Sequence, residues 1–176
     1  MIQRLLLITL LGVALCGSAE AKPVQRRIHI QKAERRLDYE EDGKVVRSFK
    51  VGLGGNPVGD KERQGDSKTP EGQMIVGWKL EKSQFHRFLG LSYPLPVHAA
   101  RALEEKRIDR ATAETIKAAA LARRPPPQNT ALGGDVGIHG GGSSFDWTLG
   151  CIAVTDEEIE WLFARVQIGD AVKVDP

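Results

Sequence analysis

The first half of the chain alternates apolar and polar positions, which is the pattern of half-buried β-strands. The stretch RIHIQKAERRLDYEEDGKVVRSFKVGLG shows this alternation, and the tripeptide EDG at residues 41–43 is a turn signal inside it. We therefore predict a three-stranded meander over residues 24–53. Glycines and prolines then mark residues 52–72 as a loop, and QMIVGWKL predicts that a strand resumes after it.

The second half changes to a helical pattern before strands return. Residues 99–122 are rich in Ala, Glu, Arg and Lys, which are strong helix formers, and Asp109 is a candidate N-cap that divides them into two helices. The prolines of RRPPPQN end this segment, since they cannot continue a helix. Residues 135–139 and the closing DAVKV predict strands, and Thr155 with Glu158 predicts a capping box that opens a helix. The fold class that follows is mainly β with a helical insertion, in a single domain.

The N-terminus has the pattern of a secretory signal peptide. A positively charged start leads into the apolar run LLLITLLGVAL, and the tripeptide AEA at residues 19–21 is a cleavage site. We predict a signal peptide over residues 1–21 and an exported mature domain over residues 22–176. A retained membrane anchor is disfavoured because the apolar run is too short to span a bilayer. A lipoprotein processed at Cys16 is disfavoured because Leu15 stands where a small residue is required.

Charge and cysteine content narrow the function classes. The chain has 25 Lys and Arg against 23 Asp and Glu, a net charge of +2, and the basic residues are interspersed with acidic ones. This mixture argues against a nucleic-acid partner or a polybasic membrane surface. Cys16 would leave with the signal peptide, so Cys151 would be the single thiol of the mature protein. In an oxidising compartment an unpaired thiol is expected to be either buried or used chemically.

The segment GIHGGGSSFDWTLGC places His139 twelve residues before Cys151. A thiol attacks acyl carbons as the thiolate, so this hypothesis expects a base or cation that lowers the pKa of Cys151. Two neighbouring strands joined by a loop over residues 140–150 would bring the imidazole within reach. The glycine run at residues 140–142 and Gly150 would supply backbone N–H groups for a developing oxyanion. The residues alone leave the alternative open that Cys151 is only packed.

The sequence gives weaker support to a metal site or a phosphate-binding site. Asp135, His139 and Asp146 are candidate metal ligands, but neither HExxH nor HxH occurs in the chain. No GxxxxGK[ST] phosphate loop occurs either. We therefore predict no metal and no organic cofactor. His29 and His98 are expected to be surface residues.

The tripeptide IHG, followed by TLGCI at residues 148–152, resembles the signature of the L,D-transpeptidase catalytic domain family, the YkuD or ErfK/YbiS type. In that signature a histidine precedes a Ser/Thr-His-Gly-Cys motif. The meander ending in VGLG, the KTPEG turn and the FHRFLGLSYP segment extend the resemblance over most of the mature chain. The resemblance implies a YkuD-like β-sandwich domain, a periplasmic location and chemistry on peptidoglycan stem peptides.

Carried over by position, Cys151 is the nucleophile and His139 is the general base, while the carbonyl of Gly140 orients the imidazole ring. Thr148 and Gly150 would shape the oxyanion site. The family activity is that of an L,D-transpeptidase: the thiol attacks the carbonyl at the L-centre of the third stem residue, a diamino acid. The terminal D-amino acid leaves, and an amine then captures the acyl group.

Two positions depart from the family pattern. Leu149 replaces the second histidine of the motif, Ala153 replaces an arginine found in many members, and the His-to-Cys spacing is short. These departures leave a hydrolase open, either an L,D-carboxypeptidase or an amidase that releases a murein-linked lipoprotein. A catalytically silent murein-binding module, with Cys151 only packed, is the second alternative.

Substrate contacts are predicted from the neighbouring aromatic and basic residues. His86, Arg87 and Tyr93 of FHRFLGLSYP would face the donor peptide, whose carboxylates suit Arg87; the alternative is a loop with an aromatic anchor. Trp147 would wall the cleft or fill the core. The helical pair at residues 99–122 would be either a lid or a solvated insertion.

Overall fold

Residues 23–176 are described by the computed structural model, and they contain eight β-strands and three α-helices. The signal peptide predicted over residues 1–21 lies outside these described residues. Within residues 23–176, no helix has both the length and the apolar character needed to cross a membrane.

The meander predicted from the alternating pattern is confirmed. Its strands are β1 (Arg26–Gln31), β2 (Arg36–Glu41) and β3 (Lys44–Lys50), and both neighbouring pairs are antiparallel. Ile28 and Ile30 of β1 are fully buried, as the period of two requires for a strand with one face on the core.

The remaining strands complete one curled sheet. They are β4 (Gly72–Ser83), β5 (His86–Leu91), β6 (Gly137–His139), β7 (Ile152–Ala153) and β8 (Ala171–Asp175). The sheet order is β3-β2-β1-β8-β4-β5-β6-β7; β1 with β8 and β6 with β7 are parallel and the other neighbours are antiparallel. The register of β4 against β5 shifts at a bulge, where a strand bends. The expected mainly β, sandwich-like domain is thus confirmed, as two halves of one curled sheet.

The helical insertion is confirmed as a pair of helices. These are α1 (Pro96–Glu104) and α2 (Arg110–Leu121). The Asp109 carboxylate caps α2 by accepting a hydrogen bond from the Thr112 amide at 2.8 Å. The insertion begins three residues before the predicted residue 99, because Pro96 occupies the first turn of α1, where a missing N–H costs nothing.

Helix α3 (Asp156–Arg165) begins at the predicted capping box. The Thr155 hydroxyl accepts a hydrogen bond from the Glu158 amide at 3.2 Å, and the Glu158 carboxylate accepts one from the Thr155 amide at 2.9 Å. The inner face buries Ile159 and Leu162 in the core of the curled sheet. This burial holds α3 against β5 and β6, next to the strand that carries the predicted base.

His98 is not a surface residue, and that prediction is wrong. Its side chain is buried, Nδ1 accepts a hydrogen bond from the Leu95 amide at 3.0 Å, and Nε2 lies 3.0 Å from the Asp60 carboxylate. The cause is tertiary, because α1 folds back onto the loop that contains Asp60. His29 is half-buried and lies 2.8 Å from the carboxylate of Asp175.

The segment that follows β3 pairs with β7, which lies at the other end of the curled sheet. Gly52 and Ala153 exchange two backbone hydrogen bonds of 2.9 and 2.8 Å. The Gly55 amide donates to the carbonyl of Thr148 at 2.9 Å. The VGLG segment therefore forms a seam with the turn that leads into β7, and this seam positions Cys151.

We expect Gly54→Ala to destabilise this seam by about 1–3 kcal/mol, the usual cost of overpacking. A Cβ at Gly54 would lie 2.1 Å from the Ser67 carbonyl oxygen and 3.3 Å from Cα of Gly150, so the backbone would have to move. Gly55→Ala is the matched control, since a Cβ there meets only the Thr148 carbonyl oxygen, at 4.0 Å. Thermal unfolding of both variants checks this, and equal Tm values would contradict it.

Candidate active site

The structure brings the two predicted catalytic residues to one cavity. His139 lies in β6 and pairs with Ala153 of the parallel strand β7. Cys151 immediately precedes β7, two residues before Ala153. Both side chains line a cavity of about 430 Å³. The pairing of two short parallel strands is therefore what brings the thiol and the imidazole together.

The imidazole of His139 is held in one tautomer. Its Nδ1 lies 2.6 Å from the carbonyl oxygen of Gly140, which can only accept a hydrogen bond. Nδ1 therefore carries the proton and Nε2 keeps the lone pair that a general base needs. A Cβ at Gly140 would lie 2.3 Å from Oδ1 of Asp156 and 3.0 Å from the Phe85 carbonyl oxygen, so a larger residue here would displace the Asp156 side chain.

Three aromatic side chains enclose the imidazole of His139. Phe85 stacks on it with ring centroids 4.6 Å apart, Phe88 lies parallel at 6.3 Å, and Trp147 contacts it edge-on at 5.6 Å. Burial lowers the pKa of His139, and the hydrogen bond to Gly140 only partly opposes this effect. The ring is therefore neutral at pH 7 and able to accept a proton.

Sequence reasoning missed Phe85 and Phe88 as parts of the site. Phe88 pairs directly with His139 across the antiparallel strands β5 and β6, and Phe85 lies in the turn before β5. The two phenylalanines of FHRFLGL were visible in the sequence, but their partner depended on the pairing of β5 with β6, which the sequence did not indicate.

Cys151 rests as a protonated thiol. Its Sγ donates to the carbonyl of Asp135 at 3.5 Å, not to His139. Burial raises the pKa of the thiol to about 11, since the lowering contributions, among them the charge of Lys61, are smaller. The expectation of a lowered thiol pKa is therefore wrong for this resting state. Attack requires that Sγ turn towards Nε2 and lose its proton as it reacts.

Thr148 and Gly150 form the turn before Cys151, and the predicted oxyanion donor of Gly150, its amide, is already bonded to Thr148. The Thr148 hydroxyl donates to the Cys151 carbonyl at 2.8 Å and accepts a hydrogen bond from the Gly150 amide at 3.1 Å. Gly150 has φ of +135°, which side chains rarely adopt, and a Cβ there would lie 2.7 Å from the Lys68 carbonyl oxygen.

The glycine run at residues 140–142 does not supply oxyanion donors. The amide of Gly140 donates to the Phe85 carbonyl, that of Gly141 to the Asp156 carboxylate, and that of Gly142 to the Val154 carbonyl, at 3.0, 2.8 and 2.8 Å. That prediction is wrong, because the neighbouring turn and α3 already occupy these donors. The run serves close packing around the base.

Of the four predicted substrate contacts, only Trp147 lines the cavity. Its indole N–H donates to the Gly142 carbonyl at 3.0 Å, which fixes the ring as a wall beside His139. Tyr93 is fully buried and its hydroxyl donates to the Leu132 carbonyl at 2.9 Å. The prediction for Tyr93 is therefore wrong, since a side chain in the core cannot touch a substrate.

His86 and Arg87 lie outside the residues that line the cavity. Both contact the carboxylate of Glu160 on α3 at 2.6 Å, and the guanidinium of Arg87 also lies 4.6 Å from the Phe163 ring centroid. Both side chains are thus engaged with Glu160, so the prediction that they face the substrate does not agree with this placement.

Asp146 anchors the loop between the base and the nucleophile. Both of its carboxylate oxygens accept hydrogen bonds from Arg35, and one also accepts the Leu53 amide at 2.9 Å. Within the described residues, no group of three or more His, Cys, Asp or Glu side chains is arranged to hold a metal ion.

The two departures from the family pattern differ in their surroundings. Leu149 is 80% exposed at the mouth of the cavity, where it adds apolar surface. Ala153 is fully buried against Gly52, so an arginine there would have no room without a change in the seam.

Alkylation of Cys151 by iodoacetamide at pH 7 is expected to be at least tenfold slower than alkylation of free cysteine. A thiol with a pKa of about 11 is almost fully protonated at pH 7, and only the thiolate reacts. The rate should rise continuously with pH, and it should match free cysteine after denaturation. A folded-state rate equal to or above that of free cysteine would contradict the protonated resting state.

Comparison with known proteins shows the family of the chain. The family model described as the L,D-transpeptidase catalytic domain, YkuD, matches residues 25–174, which include His139 and Cys151. Among curated proteins, none matches the chain significantly.

Several solved structures share the fold. An L,D-transpeptidase from Xylanimonas cellulosilytica matches with 17% identity and a TM-score of 0.53, over 88% of this chain and 65% of its own. The helical cell shape determining protein Pgp2 from Campylobacter jejuni matches with 23% identity and a TM-score of 0.56, over 86% and 48%. Bd1075 from Bdellovibrio bacteriovorus matches with 16% identity and a TM-score of 0.54, over 86% and 48%. The chain thus spans less than two thirds of the first structure, which holds residues 123–326 of its protein, and about half of the other two.

These likenesses, at low identity, establish a common architecture. The family match is stronger because it covers most of the chain and includes both residues of the candidate site. The protein belongs to the L,D-transpeptidase catalytic domain family.

Proposed function

We propose that this protein is an exported cysteine acyltransferase that acts on peptidoglycan stem peptides, as an L,D-transpeptidase. The observation that carries the proposal is the shared cavity, in which a thiol and a neutral imidazole of fixed tautomer lie within aromatic walls. The signal-peptide pattern of residues 1–21 supports placement in the periplasm, where the proposed substrate lies.

In the first step, Sγ of Cys151 attacks the carbonyl at the L-centre of the third stem residue. Nε2 of His139 takes the thiol proton as the carbon–sulfur bond forms, and the tetrahedral intermediate then expels the terminal D-amino acid. His139 returns the proton to the departing amine. A thioester and a neutral imidazole remain.

In the second step, an acceptor amine attacks the thioester, and His139 takes the proton that the amine loses. The carbon–sulfur bond breaks, and the proton returns to sulfur, so the resting thiol is restored. The acceptor is another stem peptide, a D-amino acid or a lysine of a lipoprotein. An amine competes with water only where the site holds it in line with the acyl carbon.

The second candidate is hydrolysis of the same acyl-enzyme, by an L,D-carboxypeptidase or an amidase that releases a murein-linked lipoprotein. Residue 149 favours this candidate, since Leu149 puts an exposed apolar side chain on the cavity where the family motif has a histidine. Fewer polar groups on this side offer less to orient an amine.

A mass spectrum of the products distinguishes the two candidates. Purified protein is incubated with a tetrapeptide-stem muropeptide, with and without an added D-amino acid. We expect exchanged stems or cross-links between two third residues. Accumulation of tripeptide alone, or release of lipoprotein from murein, would replace the transferase with the hydrolase.

A further inference from the structure

His139 is neutral at pH 7, so among residues 23–176 a single charged residue lines the cavity around Cys151. This residue is Asp135. Most of the wall is apolar, and it is formed by Trp78, Leu80, Phe85, Phe88, Trp147 and Leu149. A carboxylate at the edge of an apolar cavity interacts with a cation more strongly than one in bulk water does, since fewer water molecules screen the pair.

Asp135 is held in place by the segment that follows the proline run. It adopts φ of +52°, a left-handed conformation that Asp tolerates better than most residues, and its amide donates to Oε1 of Gln128 at 2.8 Å. The amide group of Gln128 donates to the Tyr93 and Pro126 carbonyls at 3.0 and 2.7 Å. A Cβ at Gly134 would lie 2.0 Å from the Gln128 carbonyl oxygen, so the segment is tightly packed.

This placement puts two groups of Asp135 at the nucleophile. Its carbonyl accepts the thiol hydrogen bond from Cys151 at 3.5 Å, Asp135 is one of the residues that line the cavity, and its carboxylate is exposed and near enough for its charge to act on the thiol. The negative charge raises the pKa of the thiol and so opposes its ionisation. The charge of Lys61 acts in the opposite direction and lowers the pKa of the thiol, but its ammonium is bonded to the Asp66 carboxylate at 2.6 Å and Lys61 does not line the cavity. A cation bound to Asp135 would therefore be a second charge that offsets the carboxylate during the reaction.

We propose that the Asp135 carboxylate binds a primary ammonium group of the peptide substrate next to Cys151, so that the substrate itself supplies the offsetting charge. The proposal rests on the proposed function, which supplies two sources of such a group. One is the side-chain amine of the diamino acid in the donor stem, and the other is the amine of the acceptor.

Binding to a Cys151→Ala protein tests the recognition without any turnover. Calorimetry compares a stem tetrapeptide that has a free side-chain amine with the same peptide acetylated at that amine. If the donor supplies the ammonium, acetylation should weaken binding about fivefold, the scale of a solvent-accessible ion pair. Asp135→Asn, made in the same background, should remove the difference.

Asp42→Asn is the matched control variant. Asp42 is also exposed and also has a left-handed backbone conformation, with φ of 49°. It lies in the turn between β2 and β3, however, and does not line the cavity. It should keep the preference for the free amine. If Asp135→Asn leaves donor binding unchanged but raises KM for a D-amino acid acceptor in the wild-type thiol background, the acceptor is the source.

The proposal is overturned if Asp135→Asn changes neither the donor preference nor the acceptor KM. If the proposed function itself were wrong, the result would be different, because the wild-type protein would then release no D-amino acid from any stem peptide. The binding comparison on the Cys151→Ala protein would still report whether Asp135 recognises the ammonium.

Discussion

Cys151→Ser is expected to abolish turnover of stem peptides while leaving the fold intact. A serine hydroxyl is far less acidic than a thiol, and the single neutral imidazole of His139 must already assist a thiol whose pKa is raised to about 11. The residual rate should lie below about one hundredth of wild type, the scale that positioned acid–base assistance alone supplies. Product mass spectrometry with the tetrapeptide muropeptide measures this rate.

Cys151→Ala completes the test, because it should still bind stem peptides and unfold at a similar temperature. Intact mass after exposure to a thiol-directed carbapenem should show one adduct on wild type and none on either variant. Residual turnover above about one hundredth would mean that another residue carries the reaction. A wild-type protein that binds stem peptides, forms no adduct and has no turnover would be the murein-binding module instead.

His139→Gln is expected to lower kcat/KM by about a hundredfold or more, since the proton of the thiol then has no acceptor of suitable basicity. In wild type, kcat/KM should rise with pH through an apparent pKa below 6.5, the ordinary value for histidine, because burial lowers the pKa of His139. Activity should therefore be lost only as the pH falls through that lower value. Steady-state rates over a pH series measure both effects, and the acid limb should disappear in His139→Gln.

His29→Gln serves as the control for this variant. His29 is half-buried and is bonded to Asp175, away from the residues that line the cavity, so its loss should leave the acid limb in place. An acid limb at or above pH 7 in wild type, or one that persists in His139→Gln, would contradict the role of His139 as the base.

Much of the fold could be predicted because local patterns carry it. The alternation in the meander, the Asp109 cap and the Thr155 capping box each act over a few residues, and each one predicted its element. The order of strands could not be predicted, since the parallel pairing of β1 with β8 joins the two ends of the domain and leaves no local signal. The burial of His98 depended on the same long-range packing.

The sequence by itself determined the identity of the reacting groups in this proposal. Cys151, a histidine twelve residues before it and glycines around both made a nucleophile and a base a hypothesis, because few residue types can perform those roles, and the resemblance to the family signature assigned the roles. The sequence also showed that the VGLG and TLGC segments resemble family motifs, but it did not show that the two segments pack against each other.

Only the tertiary structure decided how these groups behave. The raised pKa of Cys151, the lowered pKa of His139 and the pairing of Arg87 with Glu160 all depend on which residues surround each side chain. So does the placement of Asp135 beside the thiol. A pKa reflects desolvation and nearby charge, and both are set by residues distant in the chain, which is why residue types and spacing could name the site but not its protonation state.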